Sequence, residues 1–296
     1  MTLGRRMRDQ QRALSVKKRL KAAHRKLRMA VVRRFFSYGP VDLVRALRAV
    51  GIRSGDTVMV HAGFESHHGF RGSIESANNA FLDAVGPRGN LLMISMPYRS
   101  SSVEYLRKLK CFDVRRTPSA MGLMSEFFRR RDDVLRSAHP THPILACGPQ
   151  AEWLLEGHEQ CIYPCGPGTP FDKLVQIGGK VAFFNVPFTV FTFFHFLEDR
   201  VSANLDFPIY MDTRFEAQVI DRTGQPLTVR TFAFRREAIE RRRPQMLEKW
   251  LRDRGLIRRV RVGASVLMLV DLREVVSVVD EMAQRGMYFY ERAAAS

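Results

Sequence analysis

From Pro40 onward the apolar positions alternate between helical and strand spacing, and that alternation predicts an α/β chain. In "YGPVDLVRALRAVG", Pro40 suits a helix start, Leu43, Leu47 and Val50 share one face, and Gly51 is a stop. "DTVMVHAGF" follows as a buried strand ending at His61 and a loop of small residues. Residues Ser73 to Val85 have helical spacing, "GPRGN" reads as a turn, and "LLMISM" is a second buried strand. Strand, helix and strand in this order predict a βαβ unit. Its functional loops belong at the carboxyl ends of the strands, where His61 stands.

The pattern weakens from Pro97 to Arg116, which is expected to be loop with a short helix around Tyr105. It resumes in "TPSAMGLMSEFFRRR", where Thr117 and Pro118 precede a helix whose first turn carries Ser119, Met121 and Gly122. Free N–H groups and small residues at such a start suit a phosphate or thioester oxygen. "RSAHPTHPILACG" sets His139 and His142 just before a strand, and "GPGTPFDKLVQIGGKVAFFNV" gives a loop, a short helix, a turn at Gly178 and Gly179, and a strand from Val181. Residues 209–234 alternate around a turn at Thr223 to Gln225, the pattern of an antiparallel hairpin. A helix over Ala238 to Arg254, a strand over Val266 to Val270 and a helix over Leu272 to Arg285 complete the expected elements.

Between the strand at Val181 and the hairpin lies "TVFTFFHFLEDR", in which Thr192, His195 and Glu198 are spaced three apart among five apolar residues. One helix carrying all three would align them along one side. Polar groups in so apolar a run must bond each other or a ligand. Two readings fit: a general base, His195, oriented by Glu198 with Thr192 beside a developing charge, or a core histidine with a capping or surface acid.

Composition sets broad limits. With 296 residues, 45% of them hydrophobic, the chain can bury a sizeable core, and no apolar run reaches the roughly 18 residues of a spanning helix. Its four cysteines are too few for a disulfide framework and fit a reducing cytoplasm. Cys161 and Cys165 near His158, and His139 with His142, are metal-ligand candidates; the first group lacks a second ligand pair, Pro140 argues against one regular helix presenting both residues of the second, and no metal is expected. The net charge of +18 is concentrated: residues 1–37 hold thirteen Lys and Arg against the single acid Asp9. Ala13, Val16, Leu20, Ala23, Leu27 and Val31 lie there at helical spacing, so residues 1–39 read as a basic amphipathic arm ahead of one domain over 40–290. Peripheral contact with a membrane, packing on the domain and fraying all fit that arm. Nucleic acid is disfavoured, because aromatics are absent before Phe35 and Phe36.

Taken in order across residues 41 to 285, the chain resembles the aminoglycoside 3-N-acetyltransferase family. The matching segments are "DTVMVHAGF" with "VGPRGNLLM", "TPSAMGLMSEFFRRRDDVLRSAHPTHPILACG", "GPGTPFDKLVQIGGKV", "TFFHFLED" and "VRVGASVLMLVDLREVV". The resemblance implies a central mixed sheet flanked by helices, with an antiparallel C-terminal subdomain. It implies acetyl transfer from acetyl-CoA, a co-substrate, to an amine of an amino sugar or aminoglycoside by direct attack. His195 matches the general base, Glu198 its orienting carboxylate, and Thr192 the residue that helps hold the thioester oxyanion. His61, Ala62, Phe64, Ser119, Met121 and Gly122 match the coenzyme-binding positions, with His139 and His142 lining the same region. The sequence departs from the family pattern at Ala62 and Gly63, where serines are usual, and at Pro143, which ends the "HPTH" segment.

The stretch "VRTFAFRREAIERRRP" carries Arg230, Arg235, Arg236, Arg241, Arg242 and Arg243 against two acids, Glu237 and Glu240. Like charge beside a polycation costs affinity, so this run points to a neutral or anionic acceptor such as a surface or nucleotide-linked amino sugar; if the arginines face solvent instead, an aminoglycoside acceptor stands. The alternative to an enzyme is a non-catalytic relative whose basic arm binds membrane or polyanion.

Overall fold

The computed structural model describes residues 23, 26–65 and 68–291. Its centre is the strand β1 (Thr57–Ala62), in which every residue but the last is buried. A run with no polar alternation suits a strand covered on both faces. β1 pairs in parallel with β2 (Asn90–Ile94) on one side. β3 (Phe112–Asp113), β4 (Leu135–Arg136) and β5 (Ile144–Cys147) follow in the chain, and β5 pairs antiparallel with both β2 and β4. On its other side β1 pairs in parallel with β6 (Lys180–Phe184), setting Val60 opposite Ala182. β7 (Phe215–Ile220) and β8 (Pro226–Thr231) form the expected hairpin. β9 (Arg258–Val262) and β10 (Ser265–Asp271) extend the main sheet antiparallel from β6, giving the order β4-β5-β2-β1-β6-β10-β9.

The antiparallel portion therefore divides in two. β9 and β10 belong to the central mixed sheet, whereas the hairpin forms a separate three-stranded sheet with β3, in the order β3-β7-β8. The short β3 comes from the weakly patterned span 97–116, which also contains the helix Ser102–Lys108 around Tyr105.

Alternate side chains of the central strands feed two cores, as the pleat requires. Met59, Leu92, Val181 and Phe183 join one, with the helices Pro170–Gln176, Phe194–Val201, Pro244–Asp253 and Leu272–Gln284. Val58, Val60, Leu91 and Phe184 join the other, under the helices Pro40–Val50 and Ile74–Val85. Phe81 is fully buried in this second core and meets Phe184 edge-on, with ring centroids 5.8 Å apart. Phe81→Ala should lower unfolding stability by about 3–5 kcal/mol, through lost transfer energy and the cavity left behind. A fall in the urea midpoint at unchanged slope is the expected readout.

Two expectations are corrected. The continuous helix over Ala238 to Arg254 is two helices, Arg236–Arg241 and Pro244–Asp253. Pro244 has no N–H to give and its ring would collide with the preceding turn, so the chain breaks at Arg242 and Arg243. The second concerns Thr192, which does not share a helix with His195 and Glu198: a 3-10 turn at Phe188–Val190 precedes it and the α-helix begins only at Phe194.

Of the arm expected over residues 1–39, residues 1–22, 24 and 25 lie outside the described residues. Residues 26–35 are helical, and within them Val32 is buried. No described helix is long and apolar enough to cross a membrane.

Candidate active site

β6 ends in a turn that aims the next segment across the carboxyl edge of the sheet. Asn185 takes a left-handed conformation there, with φ 57°. Asparagine tolerates this because its side chain substitutes for lost backbone bonds: Oδ1 accepts from Val266 N at 3.0 Å and Nδ2 donates to Ser265 Oγ at 3.0 Å. The aromatic rings of Phe183, Phe188, Phe191, Phe193 and Phe196 then pack in sequence, with centroids 4.9–5.7 Å apart. This cluster fixes the first turn of the helix Phe194–Val201, and with it the direction of His195 and Glu198.

His195 Nδ1 lies 2.7 Å from Glu198 Oε2. Glu198 has no exposed surface, and the His195 side chain keeps 18% of its own. A buried carboxylate needs partners for both oxygens. The second oxygen, Oε1, accepts from Arg242 Nε at 2.5 Å and from the hydroxyl of Tyr290. Burial alone would push the Glu198 carboxyl up, but Arg242 and His195 together hold it below the ordinary value and keep it ionised. An ionised Glu198 can only accept, so Nδ1 of His195 carries the proton and Nε2 presents its lone pair. Burial first, and then the nearby Arg242 charge, lower the pKa of His195 against the opposing pull of Glu198. At neutral pH this imidazole is a base.

Around the dyad stands a second tier of neutral rings. Phe234 lies 4.8 Å from the ring of His195, and the Arg242 guanidinium sits 4.8 Å over the Phe234 ring. His142 meets His195 edge-on at 5.4 Å and is held by Thr141 Oγ1, 3.0 Å from its Nδ1. His139 stacks on His158 at 4.6 Å. His158 Nε2 donates to the Pro164 carbonyl at 3.0 Å, so its Nδ1 accepts from the Ser137 hydroxyl at 2.8 Å. Burial holds His139 and His142 well below the ordinary histidine value and His158 at about 4.

Beside the dyad a cleft of about 320 Å³ opens at the ends of β1 and β2, and His61, Ala62, Met121, Gly122, Ser125 and Thr192 line it. Arg99 is the one charged side chain on its wall among the described residues. His61 is buried with Nε2 unpartnered, and burial, then the nearness of His195, bring its pKa to about 4. A buried ring nitrogen without a partner beside an open cleft is suited to meeting a ligand. Gly122 has φ +108°, a left-handed conformation in which a side chain would be strained. Thr192 Oγ1 donates to the Val190 carbonyl at 3.4 Å, a long bond that leaves the hydroxyl free to turn toward a ligand. Four larger hollows, of about 660, 550, 440 and 410 Å³, lie elsewhere, and none of them is lined by His61 or Thr192.

The structure thus gathers His61, Ala62, Met121, Gly122 and Thr192 on one cleft, with His195, Glu198 and His142 next to it. Four expected coenzyme contacts are not on its wall, and His142, which packs edge-on against His195, is one of them. Ser119 stands behind the wall, its Oγ 2.9 Å from Ser125 Oγ; Phe64 packs edge-on against Phe70; and His139 is fully enclosed behind His142. Arg242 and Tyr290, which hold Glu198, were not among the expected site residues.

The arginine run is also revised. Arg230 pairs with Glu216 at 2.8 Å, Arg235 with Asp212 at 2.5 Å, Arg236 with Glu240 at 2.7 Å and Arg241 with Asp206 at 3.6 Å, while Arg243 meets Glu291. With Arg242 on Glu198, all six cations have a carboxylate partner. The charge argument against a cationic acceptor loses its basis. Among the described residues, no group of three or more His, Cys, Asp or Glu side chains is arranged to hold a metal ion.

Comparison with known proteins is decisive on kinship. The sequence profile described as aminoglycoside 3-N-acetyltransferase matches residues 59–284. The chain belongs to the aminoglycoside 3-N-acetyltransferase family. An aminoglycoside N(3)-acetyltransferase III from Salmonella sp is 30% identical over 195 residues, which cover 62% of this chain and 66% of that relative, just short of two thirds of its length. Among solved structures, aminoglycoside acetyltransferase AAC(3)-Xa superposes with a TM-score of 0.72 at 24% identity, covering 88% of this chain and 98% of that one. AAC-IIIb in binary complex with CoASH gives 0.69 at 24% identity, covering 87% and 99%. These superpositions establish the α/β fold as that of the acetyltransferase family.

Proposed function

We infer that this protein is an acetyl-CoA-dependent N-acetyltransferase acting on an amine of an aminoglycoside or related amino sugar in the cytoplasm. The observation that carries the reading is the His195–Glu198 dyad, whose bond at Nδ1 leaves the imidazole Nε2 free, and whose His195 N–H donates to the carbonyl of Thr192, a residue on the wall of the cleft, at 3.1 Å. Family membership, the names of the curated relatives and the CoASH complex of AAC-IIIb support the substrate classes.

In this reading acetyl-CoA lies along the cleft formed by His61, Ala62, Met121 and Gly122. An acceptor ammonium loses one proton to bulk water on binding, and the neutral amine attacks the thioester carbonyl carbon as His195 Nε2 takes a second proton. A C–N bond forms and the carbonyl oxygen takes up negative charge, which the Thr192 hydroxyl meets by releasing the Val190 carbonyl. The C–S bond then breaks, and the proton on the imidazolium passes to the departing thiolate. Glu198 stabilises the imidazolium and holds the tautomer, with Arg242 and Tyr290 fixing the carboxylate in turn.

This assignment carries a pH dependence. A base whose pKa is lowered by burial and by Arg242 stays neutral through the physiological range and protonates only on acidification. CoA release should therefore show an acid limb below the ordinary histidine value of roughly 6.5 and no further histidine-dependent rise above it. At saturating acceptor, an acid limb well above that value that stays in place when the acceptor amine is changed would remove His195 from the role.

A further inference from the structure

The helix over residues 26–35 is held to the domain by one side. Val32 is buried against the chain at Gly69, and Arg71 Nη2 donates to the Arg33 carbonyl at 3.0 Å. One flank of it is an exposed apolar row: Leu27 is 66% exposed and Phe35 71%, with Val31 between them also exposed. Residues four apart fall in one row, and at about 100° per residue Arg28 and Arg34 border that row on opposite sides. Phe36 and Val41 add two more exposed apolar side chains next to it. All four basic residues of this stretch, Lys26, Arg28, Arg33 and Arg34, are exposed, and Asp42 is the single carboxylate between residues 26 and 51.

A contiguous apolar row of this kind marks a contact surface. Its borders say which. A second copy would bring the same cations face to face, and the chain's own residues 1–25 add nine more Lys and Arg against Asp9. Both occupants are repelled. Nucleic acid would meet the cations but leave Leu27 and Val31 against phosphate and sugar. An anionic lipid surface satisfies both demands at once, with acyl chains for the row and headgroups for its borders.

We propose that the helix over 26–35 docks this protein on an anionic phospholipid bilayer, with Leu27, Val31 and Phe35 entering the interface and Arg28 and Arg34 at the headgroups. The test is co-sedimentation of the full chain with vesicles of phosphatidylcholine alone and of phosphatidylcholine mixed with phosphatidylglycerol, alongside Phe35→Glu and Val31→Ser. Both substitutions replace exposed side chains, and an unchanged melting temperature verifies the fold. Native protein should bind the mixed vesicles and not the neutral ones, and Phe35→Glu should weaken binding about tenfold or more, with Val31→Ser in the same direction. Equal binding to both vesicle types overturns the proposal. So does full retention of binding in Phe35→Glu, which would reduce the effect to the charge of the N-terminal residues. Conversion of a native dimer to monomers by Phe35→Glu, with no vesicle binding, would assign the row to a second copy instead.

Discussion

His195→Ala should reduce acetyl transfer by about 10²–10⁴-fold at neutral pH, with little effect on acetyl-CoA affinity. The reason is positional. The His195 ring packs on Phe234 and beside His142, and in the proposed mechanism its Nε2 lone pair takes the amine proton, while the cleft assigned there to acetyl-CoA is walled by other residues. A fall in the single-turnover rate with an unchanged acetyl-CoA dissociation constant is the expected pattern. Loss of acetyl-CoA binding at the same time would instead place His195 in the coenzyme site. Glu198→Gln should follow with a decline of about 10²-fold or more, since a neutral amide neither enforces the Nδ1–H tautomer nor balances the imidazolium.

Arg242→Met has the second large effect, and it acts on stability and catalysis together. It removes the cation from a carboxylate with no exposed surface, leaving Glu198 with only His195 and Tyr290 as partners. Breaking a buried pair in this way costs about 3–5 kcal/mol, whereas removing both charges can be near neutral. The double variant Arg242→Met/Glu198→Gln should therefore recover most of the stability lost in Arg242→Met, while remaining as inactive as Glu198→Gln. The pH profile adds a readout that packing alone would not move. Arg242 is one of the causes that lower the His195 pKa, so its removal raises that pKa and carries the acid limb of activity to higher pH. An acid limb that stays in place would show that Arg242 only packs. Arg242→Lys keeps the charge but not the Nε geometry, and should retain part of the activity and most of the original pH profile.

Local features of this site are legible in the chain, and remote ones are not. The buried run of β1 predicts that His61 ends a central strand, and the spacing of His195 and Glu198 makes them candidate partners, because both rest on short-range geometry. Thr192 shows the limit of that reasoning. Its three-residue spacing extends the helical pattern backward, yet a 3-10 turn ends at Val190 and the α-helix begins two residues past Thr192. The partners of Glu198 are more distant still. Arg242 and Tyr290 lie 44 and 92 residues along the chain, and neither carries a local mark of inward orientation. Arg242 stands in a run of cations that reads as a solvated or substrate-repelling face. Pro244 was the available signal, since a proline two residues on breaks the helix and frees Arg242 to turn inward. The run's remaining charges are cancelled by carboxylates such as Asp206, Asp212 and Glu291, whose proximity depends on the tertiary fold.

The most direct test of the account is CoA release from acetyl-CoA by the native protein across a panel of aminoglycosides and simple or nucleotide-linked amino sugars, with the acetylated product identified by mass. The account predicts stoichiometric CoA release and a product one acetyl group heavier with at least one amine of the panel, and near-complete loss of both in His195→Ala. A native protein that neither binds acetyl-CoA nor releases CoA with any acceptor would contradict it, and would make the dyad and its cleft the remnant of an acetyltransferase in a protein that binds rather than reacts.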